Sequence, residues 1–325
     1  MIPGAVVYRP TGEADLEAVL GLIVPDAATP LTADGYRRSL ADRQYRAEWT
    51  WVAEDEDTHT ILAAAVWWGV PTGSTPGALD AFYVHESLGD GEQRTAVATA
   101  LLGAAQRSYA VDPGLAEPPA YHVFVPGDWR GRPDVVSALT WRREAAARAG
   151  LGTQLERLRY KWTPEAGIPA PTGRLSFRAE PDDEVFVDVL ARVVQGSFDS
   201  YTTAQAAELG AEAHAREDVG HYRDRMLGER DWWLLAVNQD GETVGFGIPS
   251  RNPDAPVVGY LGVLPEHRGH GYIDEILAQI TRVLVAEAGA EVVMADTDLA
   301  NKPMAASFER VGYRNFARRL VYSAK

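Results

Sequence analysis

The chain has 325 residues, 46% hydrophobic and 24% charged, with a formal net charge of −15 and no cysteine. That length suits two globular domains of ordinary size, and without cysteine there are no disulfides, thiolate zinc sites or cysteine nucleophile. The acidic balance excludes nucleic acid and anionic membrane surfaces as natural partners, since both need basic surface to neutralise phosphates, and it leaves cationic small molecules as the attractive class.

From the N-terminus, MIPGAVVYRP lacks the basic then apolar run of a signal peptide, and the longest apolar run, Ile61 to Val70, is too short to span a bilayer. A cytoplasmic protein is expected. VYRPTGEADLEAVLGLI reads as a short strand, a turn and an amphipathic helix, and EWTWVAEDEDTHTIL (48–62) as a hairpin around an acidic turn. LDAFYVHESLGDGEQRTAV follows, then RAGLGTQLERLRY (148–160), then TPEAGIPAPTGR (163–174), whose prolines and glycines read as a linker.

Beyond the linker the same blocks recur in the same order. SFRAEPDDEVFVDVLARV repeats the opening strand, turn and helix. DWWLLAVNQDGETVG (231–245) aligns with the first hairpin, Trp232 on Trp49 and Ala236 on Ala53. RVGYRNFARRLVY (310–322) aligns with 148–160, pairing Arg310 with Arg148 and Tyr322 with Tyr160. Three ordered matches imply duplication of a whole domain. In the second half, elements are expected near 175–179, 184–197, 216–227, 232–238, 243–250, 257–264, 271–288, 291–296, 301–311 and 313–323. That order predicts an α/β fold with a mixed sheet in each domain. The domains are placed at 1–165 and 175–325, with 166–174 between them.

One stretch carries the chemistry. VVGYLGVLPEHRGHGYIDEIL (257–277) is an apolar strand, a charged turn with Gly269 and Gly271, and a segment with helical apolar spacing. Such a turn gathers backbone N–H groups at a helix N-terminus, where the dipole favours anions and glycine lets a phosphate approach. Two spaced glycines also suit any tight turn that needs positive φ. The pattern is neither a GxxxxGK[ST] loop nor a GxGxxG fingerprint. It resembles the R/Q-x-x-G-x-G/A signature of GCN5-related N-acetyltransferases (GNAT), with His267 or Arg268 in the basic position. VVMADTDLANKPMAASFERVGYRNF resembles the family's fifth strand, asparagine-started helix and closing GF/GY turn.

The resemblance implies two tandem GNAT-like domains, arranged as in mycothiol synthase, with acetyl-CoA as cosubstrate and no metal. Leu261, Gly262 and Val263 would pair with the pantetheine arm, and the Val263 N–H would polarise the thioester carbonyl. Arg268, Gly269, His270, Gly271, Tyr272 and Ile273 would hold the pyrophosphate, and Asn301 would meet the pantetheine. Asp296 would be the general base, unless it caps the following helix. Phe308 stands where relatives that acetylate ribosomal-protein N-termini carry an acidic tyrosine. In the first half Leu88 and Asp90 flank Gly89, so that domain is expected to be degenerate. The function expected is acetyl transfer to a small-molecule amine; protein N-terminal or lysine acetylation, and acyl-CoA binding without catalysis, are the alternatives. The assembly is either a monomer with its two domains paired or a homodimer. His267 and His270 lack a carboxylate at ligand spacing, Trp232 is expected in the core with Trp233 outside it, and Tyr260 lines a groove or packs.

Overall fold

The computed structural model describes residues 5–89, 91–111, 115 and 117–324. Asp90, one of the residues that mark the first half as degenerate, lies outside them. The chain forms two compact units, one made of Met1–Glu156 with Arg318–Lys325 and the other of Arg157–Ala317.

The first unit runs β1 (Val6–Pro10), α1 (Leu16–Leu22), α2 (Ala33–Ala41), β2 (Thr50–Asp55), β3 (Ile61–Trp68), β4 (Ala78–Val84), α3 (Glu92–Tyr109), β5 (Tyr121–Val125) and α4 (Pro133–Arg148), with β6 (Thr153–Trp162) beginning in it. The strands β1 to β4 are antiparallel neighbours. Strand β3 reads ILAAAVWW and is buried almost throughout because both its faces are covered. Ala63, Ala65 and Trp67 face the cluster under α3 and α4, while Ala64 and Val66 face the cluster under α1 and α2. Residues 318–322 complete this sheet, antiparallel to β5, and bring Leu320 and Tyr322 into its core.

The second unit takes the end of β6, then β7 (Leu175–Ala179), α5 (Asp183–Val193), α6 (Ser200–Leu209), α7 (Ala211–Asp224), β8 (Leu234–Asn238), β9 (Thr243–Arg251), β10 (Pro256–Val263), α8 (Tyr272–Ala288), β11 (Val293–Asp298) and α9 (Lys302–Arg310), and the start of β12 (Arg314–Ser323). Most of these bounds fall within a few residues of those expected. Helix α6 was not foreseen, since its run SYTTAQAAEL has little apolar periodicity. Strands β7 to β10 are antiparallel in sequence order. Beyond β10 lies β11, and residues 157–162 of β6 pair antiparallel with β11, supplying Leu158, Tyr160 and Trp162 to the core.

The proline-rich segment is fastened to this unit. Trp162 Nε1 donates to the Gly167 carbonyl at 2.7 Å, Arg282 donates to the Pro169 carbonyl, and Thr172 donates to Glu275 at 2.5 Å. The two tryptophans are reversed from expectation. Trp233 is 1% exposed while Trp232 is half-buried, because the strand starts at Leu234 and Trp232 ends a short helical turn before it.

Candidate active site

Strand β10 is shaped by three contacts. Gly259 bulges out of register with β9, and Tyr222 of α7 donates to its carbonyl at 2.8 Å. Any side chain at Gly262 would overlap Val193 of α5, so the helix lies directly on the strand there. Toward β11 the two strands pair only at Val257 with Met294. Past that point they part, and among the described residues Leu261 to Val263 have a strand partner on the β9 side alone. Leu264 N–H donates to the Val244 carbonyl of β9 at 2.9 Å. Polar groups alternate along an antiparallel ladder, so the N–H groups of Leu261 and Val263 face the gap.

The gap leads to the glycine turn. Gly269 and Gly271 have φ of 85° and 74°, the left-handed region that a Cβ disfavours, and Gly271 is the N-cap of α8. Among the described residues none accepts from the N–H groups of Gly269, His270, Gly271, Tyr272 or Ile273. Five donors at the positive end of a 17-residue helix are an arrangement that favours an anion.

Arg268 does not project into that site. Its Nε donates to the Val263 carbonyl at 3.1 Å, Nη1 to the Gln195 carbonyl at 2.7 Å and Nη2 to the Val193 carbonyl at 2.7 Å. The guanidinium thus satisfies carbonyls at the C-terminal end of α5, where a cation is favoured, and ties that end to the turn.

A different cation, Arg174, stands over the turn. Its Nη1 donates to the His270 carbonyl at 2.9 Å, it pairs with Glu275, and its guanidinium lies 5.4 Å from the Tyr272 ring centroid. Tyr272 also stacks on His270 at 5.6 Å. The other first-turn carboxylate, Asp274, is held bidentately by Arg310 at 2.6 and 2.8 Å. Burial disfavours that charge, but Arg310, Ser307 and Arg174 together outweigh it and the carboxyl is held below its ordinary range. Both acids beside the anion site are thereby matched by guanidinium groups. Sequence reasoning missed Arg174 because it falls in the proline-rich segment.

Asp296 sits on β11 opposite Arg159 of β6, whose Nε lies 3.3 Å from its Oδ1. It does not cap α9. Asn301 does, accepting from Met304 N–H at 3.3 Å, which leaves its side-chain amide N–H groups to reach a ligand. Phe308 is 1% exposed and stacks on Tyr160 at 4.8 Å, so its position points into the core.

Tyr260 is partly buried against the cluster beneath α5 and α7. Burial raises its hydroxyl well above the ordinary range, with the nearby Asp218 charge adding. Asp218 was not singled out in the sequence. Among the described residues no group of side chains could hold a metal ion, and no helix is long and apolar enough to cross a membrane.

Residues 199–313 match the model of the acetyltransferase (GNAT) family. Among solved structures, the chain is similar to a GCN5-related N-acetyltransferase from Sphaerobacter thermophilus, at 18% identity and a TM-score of 0.55, over 99% of this chain and 96% of that one. It is similar to a tandem GNAT protein from the clavulanic acid biosynthesis pathway, at 17% identity and a TM-score of 0.51, over 99% of each chain. A glucosamine N-acetyltransferase region of a fungal multi-domain β-N-acetylglucosaminidase also matches, at 16% identity and a TM-score of 0.56, over 98% of this chain and 38% of that one. No curated protein matches the sequence.

Proposed function

With a GNAT-family domain over residues 199–313, we propose that the second unit transfers acetyl from acetyl-CoA to the amine of a small molecule by direct attack. The observation that carries this reading is the parting of β10 from β11 immediately before a turn with five unpartnered N–H groups. A pantetheine arm would lie in the gap as an added strand, pairing with β10. The pyrophosphate would sit on the N–H groups of Gly269 to Ile273, with Arg174 beside it. The amide N–H groups of Asn301 would meet the arm from the start of α9.

The direction of the arm decides which N–H polarises the thioester. Starting from the turn, it passes Val263 first and reaches Leu261 last. Val263 then pairs with the pantetheine, and the Leu261 N–H is the oxyanion donor. The amine nitrogen forms a bond to the carbonyl carbon, the carbon–sulfur bond breaks, and coenzyme A leaves as thiolate. A free thiol has a pKa of ~8.5, so departure needs no acid, which suits the buried Phe308.

The test is amine-dependent release of coenzyme A thiol from acetyl-CoA by the full chain, alongside calorimetric binding. Gly269→Glu places a side chain and a negative charge on the pyrophosphate position and is expected to abolish binding; retained affinity would overturn the site. Turnover of peptides in preference to small amines would move the acceptor to proteins. Binding with no turnover of any amine would leave an acyl-CoA-binding protein.

A further inference from the structure

Building on the acetyl-transfer reading, we propose that the His214, Asp218 and Tyr222 face of α7, together with Asp199 and Tyr260, forms the acceptor end of the site: it takes a cationic primary amine, and Asp218 receives the proton that the amine must lose before it attacks.

His214, Asp218 and Tyr222 are four residues apart and share one helical face. That face is aimed at β10, because Tyr222 holds the Gly259 carbonyl and its ring lies 6.2 Å from that of Tyr260. Tyr260 precedes Leu261, whose N–H faces the thioester position. The α7 face therefore meets the strand at the end of the gap where the acyl group would lie.

The surroundings are acidic beyond what their cations match. The guanidinium of Arg157 on β6 is shared by Asp199 at 3.1 Å and Asp298 at 3.2 Å. Asp298 is also fixed by the Ser200 N–H at 2.6 Å, and Asp199 caps α6. Asp218 is left with His214, whose Nε2 lies 3.4 Å from its Oδ2. His214 is 2% exposed, and that nitrogen makes no hydrogen bond. A buried, unsatisfied imidazole nitrogen beside a carboxylate points to a missing polar partner. The Asp218 side chain itself keeps 22% of its surface open to solvent, so a ligand can reach it. Phe198, 60% exposed, precedes Asp199 and offers a ring face to a cation.

Burial raises the Asp218 carboxyl to about 6, with His214 opposing and Asp199 and Glu217 adding. Tyr222 and Tyr260, whose hydroxyls both feel the Asp218 charge, are the other ionisable groups beside it, and Arg157 lies near Tyr222. The acids of α5 are already paired, Glu184 with Arg216, Asp183 with Arg223 and Arg230, and Asp188 with Arg192. A base with that affinity accepts a proton at neutral pH more readily than an ordinary carboxylate. The ammonium gives one proton to the Asp218 carboxylate and its freed lone pair forms the bond to the carbonyl carbon. When the carbon–sulfur bond breaks, the second proton on nitrogen passes to the leaving thiolate, and Asp218 returns its proton to solvent.

The full chain is assayed for thiol release from acetyl-CoA between pH 5 and 9 with putrescine, a dication, and β-alanine, which carries a carboxylate. Putrescine is expected to be the better acceptor by about tenfold or more in kcat/KM, with an acidic limb near pH 6. Asp218→Asn is expected to lower kcat by ~10² and remove that limb, with the KM for acetyl-CoA within about twofold of the parent. Asp218→Glu is expected to restore the limb and part of the rate. Unchanged rate and profile in Asp218→Asn, or equal use of the two amines, overturns the proposal. If the parent releases no thiol, acetyl transfer itself fails; calorimetry with putrescine on the CoA-bound chain then judges the acceptor site separately, and absence of binding, or equal binding to Asp218→Asn, overturns it.

Discussion

Arg142 Nε donates to the main-chain carbonyl of Phe82 at 3.2 Å, reaching from α4 to β4 in the first unit. Phe82 lies three residues before His85, whose N–H donates to Leu62 of β3, as Leu261 lies three before Leu264 in the second unit. Here too the strands part after one pair, Leu79 with Tyr121. The space that follows is filled by the chain itself. Arg142 is 2% exposed, donates to the Ala138 carbonyl at 2.8 Å and pairs with Asp26 at 2.7 Å. Calorimetry is therefore expected to find one acetyl-CoA site per chain, abolished by Gly269→Glu; a second site of similar affinity would contradict the occupied gap.

Arg268→Ala removes the donor to the part-buried carbonyls of Val263 and Val193 and to the exposed carbonyls of Gln195 and Gly196. The expected loss is about 2 to 4 kcal/mol of stability, read as a drop in Tm of several degrees. Coenzyme A affinity falls with it because the turn loses its tie to α5. Unchanged Tm with lost affinity would mean that Arg268 instead swings out to the phosphate.

Asp296→Asn separates the two candidate bases. The Asp296 carboxylate is already engaged by Arg159, and its substitution is expected to cost less than about tenfold in kcat, well below the ~10² expected at Asp218. The reverse order, with the limb near pH 6 intact in Asp218→Asn, would return proton acceptance to the strand end.

Asp218 also ties stability to pH. Its carboxyl is raised from the ordinary 3.8 to about 6 in the fold, so the folded chain holds that proton more tightly than the unfolded one. The contribution is whole below the unfolded value and is lost as pH rises through about 6. Asp218→Asn should therefore melt higher than the parent at pH 8, by on the order of 1 to 3 kcal/mol, and show no such gain at pH 4. A variant less stable at pH 8 would mean that the ion pair with His214 outweighs the burial of the charge.

Fragment boundaries follow the compact units. A fragment of residues 172–325 lacks Leu158, Tyr160 and Trp162, which pack in the second unit's core, and Arg157, which serves Asp199 and Asp298. Residues 157–317 retain all four and should give the higher Tm. Equal melting of the two fragments would show that the end of β6 adds nothing to that core.

The duplicated blocks, the order of elements along the chain and the glycine turn were legible because each leaves a local mark: paired apolar runs, acidic hairpins, and glycines at left-handed positions. What escaped was long-range. Nothing near Arg174 in sequence indicates that it closes over His270, and nothing near Arg268 indicates three carbonyls from α5 and β10. Counted strictly from Arg268, the signature's small residues fall at Gly271 and at position 273, where this chain has isoleucine; Gly269 is an addition to the pattern. The α7 face was hidden by its spacing, since a histidine, an aspartate and a tyrosine four apart on a polar helix look like a solvated surface until Gly259 is seen beneath them.

The closing strand also sets an order of events during synthesis. The first unit owns residues 318–325 and takes Leu320 and Tyr322 into its core, so its sheet stays one strand short while the following 161 residues are made and folded. A contact of such sequence separation forms slowly, and until it does β5 presents an unpaired edge. The half of the molecule that emerges first from the ribosome is thus the last to finish.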